Sequence, residues 1–249
     1  MAAEKLAWIT GAGSGIGRAL ALRMAGAGWR VAVSARTPAD LDSLAAAFPD
    51  LIRPFVLDVT DNSAVAATVS QISRDMGQLD LVVLGAGTYE PITAADFDRQ
   101  AFARTLEVNV MGTVNCLSAV MPAMIGRRGG HIAIMASVAG FVGLPGAAGY
   151  GASKAALNIM AEALEPDLER HNVRLSIINP GFVDTPLTRK NDFPMPFLIP
   201  AEAAVDAIMK GLGRPRFEIV FPWQMAMAMK LLAVLPHRLR LAVTRRMVR

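Results

Sequence analysis

The strongest constraint on this chain is an alternation of short apolar runs with alanine-rich helical segments, sustained over most of its length. The β-type runs are Leu6–Thr10, Arg30–Ala35, Ile52–Leu57, Leu81–Gly85, His131–Ala136, Arg174–Asn179 and Phe217–Phe221. Helical segments separate them at Gly15–Ala27, Pro38–Phe48, Ser63–Met76, Phe97–Arg127, Gly151–Arg170 and Ala201–Leu212. Runs such as VAVSA and LVVLGA are apolar on both faces, which suits strands covered by helices on either side and therefore a parallel sheet. Strict β/α alternation then predicts an α/β fold: a doubly wound, Rossmann-like parallel sheet of about seven strands with helices on both faces. Ligands of such sheets bind beyond the carboxyl ends of the strands, so the chemistry is sought there.

The first strand ends in Thr10-Gly11-Ala12-Gly13-Ser14-Gly15-Ile16-Gly17, and a helix follows. Glycines at such a turn let the backbone approach a pyrophosphate, and the helix N-terminus offers N–H groups and the positive end of its dipole. The spacing is G-x-x-x-G-x-G from Gly11 through Gly15 to Gly17, with Ile16 where the commoner dinucleotide fingerprint has its last glycine. The second strand ends in Ser34-Ala35-Arg36. An NAD site usually has a carboxylate there for the ribose 2′-hydroxyl; here a guanidinium stands ready for a 2′-phosphate. The expected cofactor is NADP(H), with NAD(H) the lesser alternative.

With these residues in order, the chain resembles the short-chain dehydrogenase/reductases over roughly residues 5–222. The glycine turn matches their T-G-x-x-x-G-x-G, and Tyr150-Gly151-Ala152-Ser153-Lys154 matches their Y-x-x-x-K. Asp58 ends the third strand, Ser137 ends the fifth, Asn109 lies in the long helix between, and Pro180-Gly181 and Thr185 follow the sixth strand. Leu84-Gly85-Ala86-Gly87 replaces the usual N-N-A-G, so both asparagines that brace the sheet in the family are missing. The resemblance implies Ser137, Tyr150, Lys154 and Asn109 as catalytic residues. It implies Gly11, Ser14, Gly15, Ile16, Gly17, Arg36, Asp58, Val59, Ala86, Gly87, Tyr150, Lys154, Pro180, Gly181, Val183 and Thr185 around the cofactor. It also implies that Lys154 holds the nicotinamide ribose and that Asn109 keeps a water beside the lysine.

The residues point to the same chemistry on their own. Tyr150 and Lys154, four apart in a helical segment, project from one face. A tyrosine hydroxyl titrates near 10 when unperturbed, and a neighbouring ammonium is expected to lower that value. Tyr150 would then exchange a proton with a carbonyl or alcohol oxygen while Ser137 hydrogen-bonds the same oxygen. The expected function is an NADP(H)-dependent oxidoreductase interconverting a carbonyl and an alcohol. The alternative is a non-catalytic NADP(H) sensor or scaffold on the same fold; an epimerase or dehydratase would want a larger substrate domain. The histidines, His131, His171 and His237, have no spacing suited to a metal or a nucleophilic triad.

The remaining segments bear on substrate and partners. Phe182–Pro200, with Phe182, Leu187, Phe193, Met195, Phe197, Leu198 and Ile199, reads as a lid. Its apolar side chains either meet an apolar carbonyl or alcohol substrate or only pack the lid down. Tyr89, after the fourth strand, is a candidate pocket residue. Residues 1–222 form the expected catalytic domain, and 223–249 a basic amphipathic tail interrupted by Pro236. The tail has three readings: peripheral membrane contact and cover for a partner subunit, equally weighted, and a plain solvated tail. A homo-oligomer, dimer or tetramer, is expected from the family. A single cysteine, Cys116, excludes an intrachain disulfide and suits a reducing compartment, and no uninterrupted apolar run reaches the ~18 residues of a membrane span. The expected location is therefore cytoplasmic, with membrane contact only through the tail. Nucleic-acid binding is not expected, because the chain has no aromatic-and-basic surface motif outside that tail.

Overall fold

The computed structural model describes residues 5–191 and 193–248. Arg249, the last basic residue of the expected tail, lies outside them. Seven strands form one all-parallel sheet in the order β3-β2-β1-β4-β5-β6-β7. They are β1 (Leu6–Thr10), β2 (Arg30–Ala35), β3 (Ile52–Val56), β4 (Leu81–Leu84), β5 (His131–Met135), β6 (Arg174–Pro180) and β7 (Glu218–Phe221). The chain winds outward from β1 through β2 and β3, then returns to place β4 on the other side of β1. That reversal opens the crevice in which doubly wound folds bind ligands.

Alternation of side chains along each strand divides the core into two layers. On one face Trp8, Val82, Leu84, Ile132 and Ile134 pack under helices α3 (Asn62–Met76), α5 (Gly112–Arg127) and α6 (Ala148–Arg170). On the other, Ile9, Val31, Val33 and Val83 pack under α1 (Gly15–Gly26), α2 (Pro38–Ala47) and α7 (Ala201–Leu212). Trp8 and Ile9, adjacent in β1, are both wholly buried in opposite layers. Each such aliphatic or aromatic side chain contributes roughly 1.5–3 kcal/mol by leaving water.

Two segments depart from the sequence expectation. The segment expected as one helix, Phe97–Arg127, is α4 (Arg99–Leu106), then a π-helical turn (Glu107–Met111), then α5. By length and composition the run Arg99–Arg127 could cross a bilayer. Its Cys116, Leu117, Val120 and Met124 are instead buried in the core layer, and burial pushes the Cys116 thiol up to about 12. The tail folds into two helices, α8 (Trp223–Val234) and α9 (His237–Arg245), separated at Pro236 because proline's missing N–H ends the ladder. α8 packs on the body of the protein through Met225, Met229 and Leu232.

Candidate active site

The glycine turn lies where β1, β2 and β4 end. Gly11 has φ +69°, and a Cβ there would lie 2.6 Å from the Gly85 carbonyl oxygen. A Cβ on Gly17 would come within 2.4 Å of the Gly11 carbonyl oxygen, so glycine is what allows α1 to start this close to β1. Gly15, at φ +54°, faces Thr185, whose Cβ and methyl group would be 3.2 Å from an added Cβ. The turn therefore has a floor (Gly85-Ala86) and a wall (Thr185). The Ser14 hydroxyl makes no capping bond to α1, which leaves the first turn of that helix open to an anion.

The missing asparagines of the fourth strand have a structural substitute. Thr10 Oγ1 accepts from the N–H groups of Gly85 (3.0 Å) and Ala86 (3.3 Å). A threonine at the end of β1 thus ties β1 to β4 in place of a side-chain amide. Gly85 itself has no room for one, since its Cβ would sit 2.9 Å from the Thr10 carbonyl oxygen.

At the outer edge of this crevice Arg36 is exposed at the end of β2. Asp58, after β3, accepts from the N–H (3.0 Å) and the hydroxyl (2.8 Å) of Thr60. The Thr60 backbone bond lowers the Asp58 pKa most, and the Arg36 guanidinium lowers it further. Val59 is wedged under Gly112 at the start of α5, and its carbonyl accepts from Asn115 Nδ2 at 2.9 Å.

Ser137, Tyr150 and Lys154, the expected catalytic residues, converge on the ends of β5 and β6. Ser137 lies just past β5; its hydroxyl donates to the Pro180 carbonyl (3.3 Å), accepts from Ala139 N–H (3.1 Å) and also hydrogen-bonds Tyr150. Tyr150 is in the first turn of α6, which begins at Ala148, earlier than the sequence indicated. Its ring packs edge-to-face on Tyr89, with centroids 5.3 Å apart. Lys154, one turn along and almost wholly buried, donates to the Met135 carbonyl at 2.8 Å. A Cβ on Gly87 would lie 3.7 Å from Lys154 Nζ and 3.3 Å from Asn109 Oδ1, which puts the β4 loop against both.

The expected lowering of the Tyr150 pKa does not occur here. The ammonium of Lys154 lies over the ring, 5.6 Å from its centroid. Loss of hydration raises the Tyr150 pKa, the Ser137 hydrogen bond opposes that only in part, and Tyr89 adds to it. The same desolvation brings Lys154 down to about 8.

Asn109 occupies the π turn and is completely buried. Its Oδ1 accepts from Thr88 N–H (2.7 Å), and its Nδ2 donates to the Thr88 carbonyl (3.0 Å) and to Ser153 Oγ (2.9 Å). Both amide hydrogens are committed, so the side chain fastens the β4 loop to α6. A second clasp was not foreseen from sequence. Asn179 Nδ2, at the end of β6, donates to Asn158 Oδ1 (3.0 Å), and Asn158 Nδ2 donates to the Lys154 carbonyl (3.1 Å). Nothing local in the sequence pairs these residues; only the sheet brings them together.

The segment expected as a lid is tied at both ends: Ile199 N–H donates to the Phe182 carbonyl (3.1 Å) and Asp184 N–H to the Ile199 carbonyl (2.9 Å). Phe182 and Phe193 pack edge-to-face at 5.9 Å. The inner face of α8 joins Phe182, since Met225, Met229 and Leu232 cluster with it and with Val138, Val142, Phe141 and Leu144. Gly181 admits this approach, because a Cβ there would be 2.9 Å from Met225 Cγ. That roof was also missed from sequence, where 223–249 read only as a tail. Among the described residues no cluster of His, Cys, Asp and Glu could hold a metal ion.

A Rossmann-like sheet with a glycine turn at its switch point, and Ser, Tyr and Lys at the adjacent strand ends, defines a nucleotide-dependent oxidoreductase class. The short-chain dehydrogenase family model matches residues 5–194, and this chain belongs to that family. An uncharacterized oxidoreductase of Myxococcus xanthus is 40% identical over 98% of this chain and 97% of its own length. A 3-oxoacyl-[acyl-carrier-protein] reductase of Thermotoga maritima is 34% identical over 75% of this chain and 77% of its own. A Burkholderia cenocepacia short chain dehydrogenase solved in complex with NADP superposes with TM-score 0.84 at 28% identity, covering 99% of this chain and 98% of that one. The chain is an oxidoreductase of the short-chain dehydrogenase/reductase family.

Proposed function

We propose that this oxidoreductase prefers NADP(H) and interconverts a carbonyl and an alcohol on an apolar substrate, with Tyr150 as the acid/base. The observation that carries the reading is the convergence of Ser137, Tyr150 and Lys154 beside the glycine turn, under an apolar roof. When bound, the nicotinamide supplies or accepts the hydride. The protein's part is to place the substrate oxygen between the hydroxyls of Ser137 and Tyr150 and to move one proton. A raised Tyr150 pKa keeps that hydroxyl protonated at neutral pH, which suits giving a proton to a carbonyl oxygen. Buried Lys154 holds a positive charge next to the ring below about pH 8 and stabilises the phenolate left behind. Asn109, with its side chain committed, serves in this reading as a positioning residue that fixes α6 against the β4 loop.

Support for NADP(H) comes from Arg36 at the end of β2, from the absence of a carboxylate there, and from the NADP complex of the Burkholderia relative. Support for an apolar carbonyl comes from the roof of Phe182, Met225 and Met229, and from the acyl-chain substrate named for the Thermotoga relative. The test is titration with NADPH and NADH, followed by nicotinamide absorbance against a panel of apolar ketones, aldehydes and 3-oxoacyl thioesters. Tyr150→Phe is expected to keep NADPH binding and to lose at least about a hundredfold in turnover, the usual contribution of a general acid. Cofactor binding without turnover on any substrate, unchanged in Tyr150→Phe, would leave the sensor or scaffold reading in its place.

A further inference from the structure

Helix α8 is apolar on both sides. Its inner residues, Met225, Met229 and Leu232, are buried in the roof of the site. Its outer residues, Trp223, Met227, Leu231 and Val234, are 68%, 54%, 61% and 78% exposed. At spacings of four, four and three they make one continuous stripe on the side opposite the buried face. On α9, Leu239 and Val243 are also exposed and share a face, with Arg246 one turn beyond. A contiguous apolar stripe of this kind marks an interaction surface.

The charge around the stripe indicates what covers it. Residues 223–249 contain Lys230, Arg238, Arg240, Arg245, Arg246 and Arg249, and no Asp or Glu. Lys230 is paired with Glu218, and Arg240 bonds the Ala233 carbonyl and His237. Arg238, Arg245 and Arg246 are exposed, and none forms an ion pair among the described residues. Two copies meeting through this face in a twofold dimer would set basic residues against basic residues. An anionic lipid surface matches both features, phosphate for the arginines and acyl chain for the stripe.

We propose that α8 and α9 are a docking face for an anionic phospholipid bilayer. Trp223, Met227, Leu231 and Val234 enter the headgroup boundary, and Arg238, Arg245 and Arg246 meet lipid phosphates. Since α8 also roofs the substrate side through Met225 and Met229, docking brings that roof to the membrane surface, where an apolar carbonyl or alcohol would be concentrated. The apolar stripe and the exposed arginines are the same whichever substrate is turned over.

The test uses the full chain with vesicles of phosphatidylcholine alone and of phosphatidylcholine mixed equally with phosphatidylglycerol, read by flotation and by tryptophan emission. Trp8 is wholly buried and Trp29 partly so, which leaves Trp223 as the indole placed to respond. The expected result is flotation with the anionic vesicles, a blue shift in emission, and loss of both at high salt. The combined variant Arg238→Gln, Arg245→Gln and Arg246→Gln should weaken partitioning on the order of a hundredfold. Met227→Gln with Leu231→Gln and Val234→Gln should abolish the blue shift while circular dichroism melting stays unchanged. Failure of the wild type to float with anionic vesicles overturns the proposal, as does equal flotation with the neutral ones. A light-scattering mass that falls in the glutamine stripe variant, without vesicle binding by the wild type, would assign the face to a second copy instead.

Discussion

Lys154 is held where a charge is costly. It is nearly out of contact with water, its hydrogen-bond acceptor among the described residues is the Met135 carbonyl, and its pKa falls to about 8. A lysine lowered on folding destabilises the folded state while both states are protonated, and the penalty fades as pH rises from about 8 toward the unfolded value of 10.5. The penalty below pH 8 is on the order of 3 kcal/mol. Removing the charge also forfeits its bond to Met135, about 1.5–3 kcal/mol. Lys154→Met is therefore expected to lose turnover with little or no loss of stability at pH 7. Wild type should gain on the variant between pH 8 and 10, measured as the difference of two urea-unfolding series; parallel series would remove the argument. A second contest of charges lies at the rim of the cofactor crevice. In the proposed reading the Arg36 guanidinium meets a 2′-phosphate, whereas the Asp40 carboxylate oxygen comes within 3.3 Å of where a Cβ on Gly13 would sit. Arg36→Asp should weaken NADPH binding about 10- to 100-fold relative to NADH, the worth of a charge-assisted hydrogen bond. Asp40→Ala should shift preference toward NADPH; dissociation constants for both cofactors decide each case.

Elements carry these residues only because particular glycines let them approach. The start of α1 rests on the Gly11 carbonyl through Gly17, where a methyl group would stand 2.4 Å from backbone oxygen. Gly17→Ala is expected to push α1 off the sheet, cost about 1–3 kcal/mol, and weaken cofactor binding far more than a surface substitution would. Thermal melting together with NADPH titration reads both effects. This region was legible in the sequence because its signals are local: strand, glycine spacing and helix follow one another within a dozen residues. So were Tyr150 and Lys154, one turn apart on α6. What was not legible depends on long-range contact. The Asn158–Asn179 clasp joins α6 to β6, and the roof joins α8 to the turn after Ser137. The π turn at Asn109 has no composition of its own, since its apolar periodicity passes for ordinary helix. The Tyr150 pKa was expected to fall because residue spacing shows that a lysine is near, whereas its direction depends on burial and on where the ammonium points.

Across the whole molecule the two ends of the sheet do different work. The glycine turn, the Ser137–Tyr150–Lys154 group and the roof all sit at the carboxyl ends of the strands, and contacts at the opposite end hold strands together. There His131, at the start of β5, is buried, and its Nε2 lies 2.9 Å from Ser176 Oγ, which donates to the Arg216 carbonyl at 2.7 Å. The contact links β5, β6 and the approach to β7, at a distance from any reacting atom. Burial first, and the Arg174 charge second, bring the His131 pKa down to about 4 from 6.5. The unfolded chain therefore binds more protons than the folded one between those values, and stability falls as pH drops through the window. The full effect is on the order of 3 kcal/mol. His131→Gln keeps a polar group for Ser176 but cannot charge, so its stability should change less than that of wild type between pH 6.5 and 4. Unfolding curves at four or five pH values test this. Equal slopes would mean that another group governs acid stability. A smaller slope in the variant, with NADPH binding unaltered at pH 7, would show that the structural end of the sheet can titrate without disturbing the chemical end.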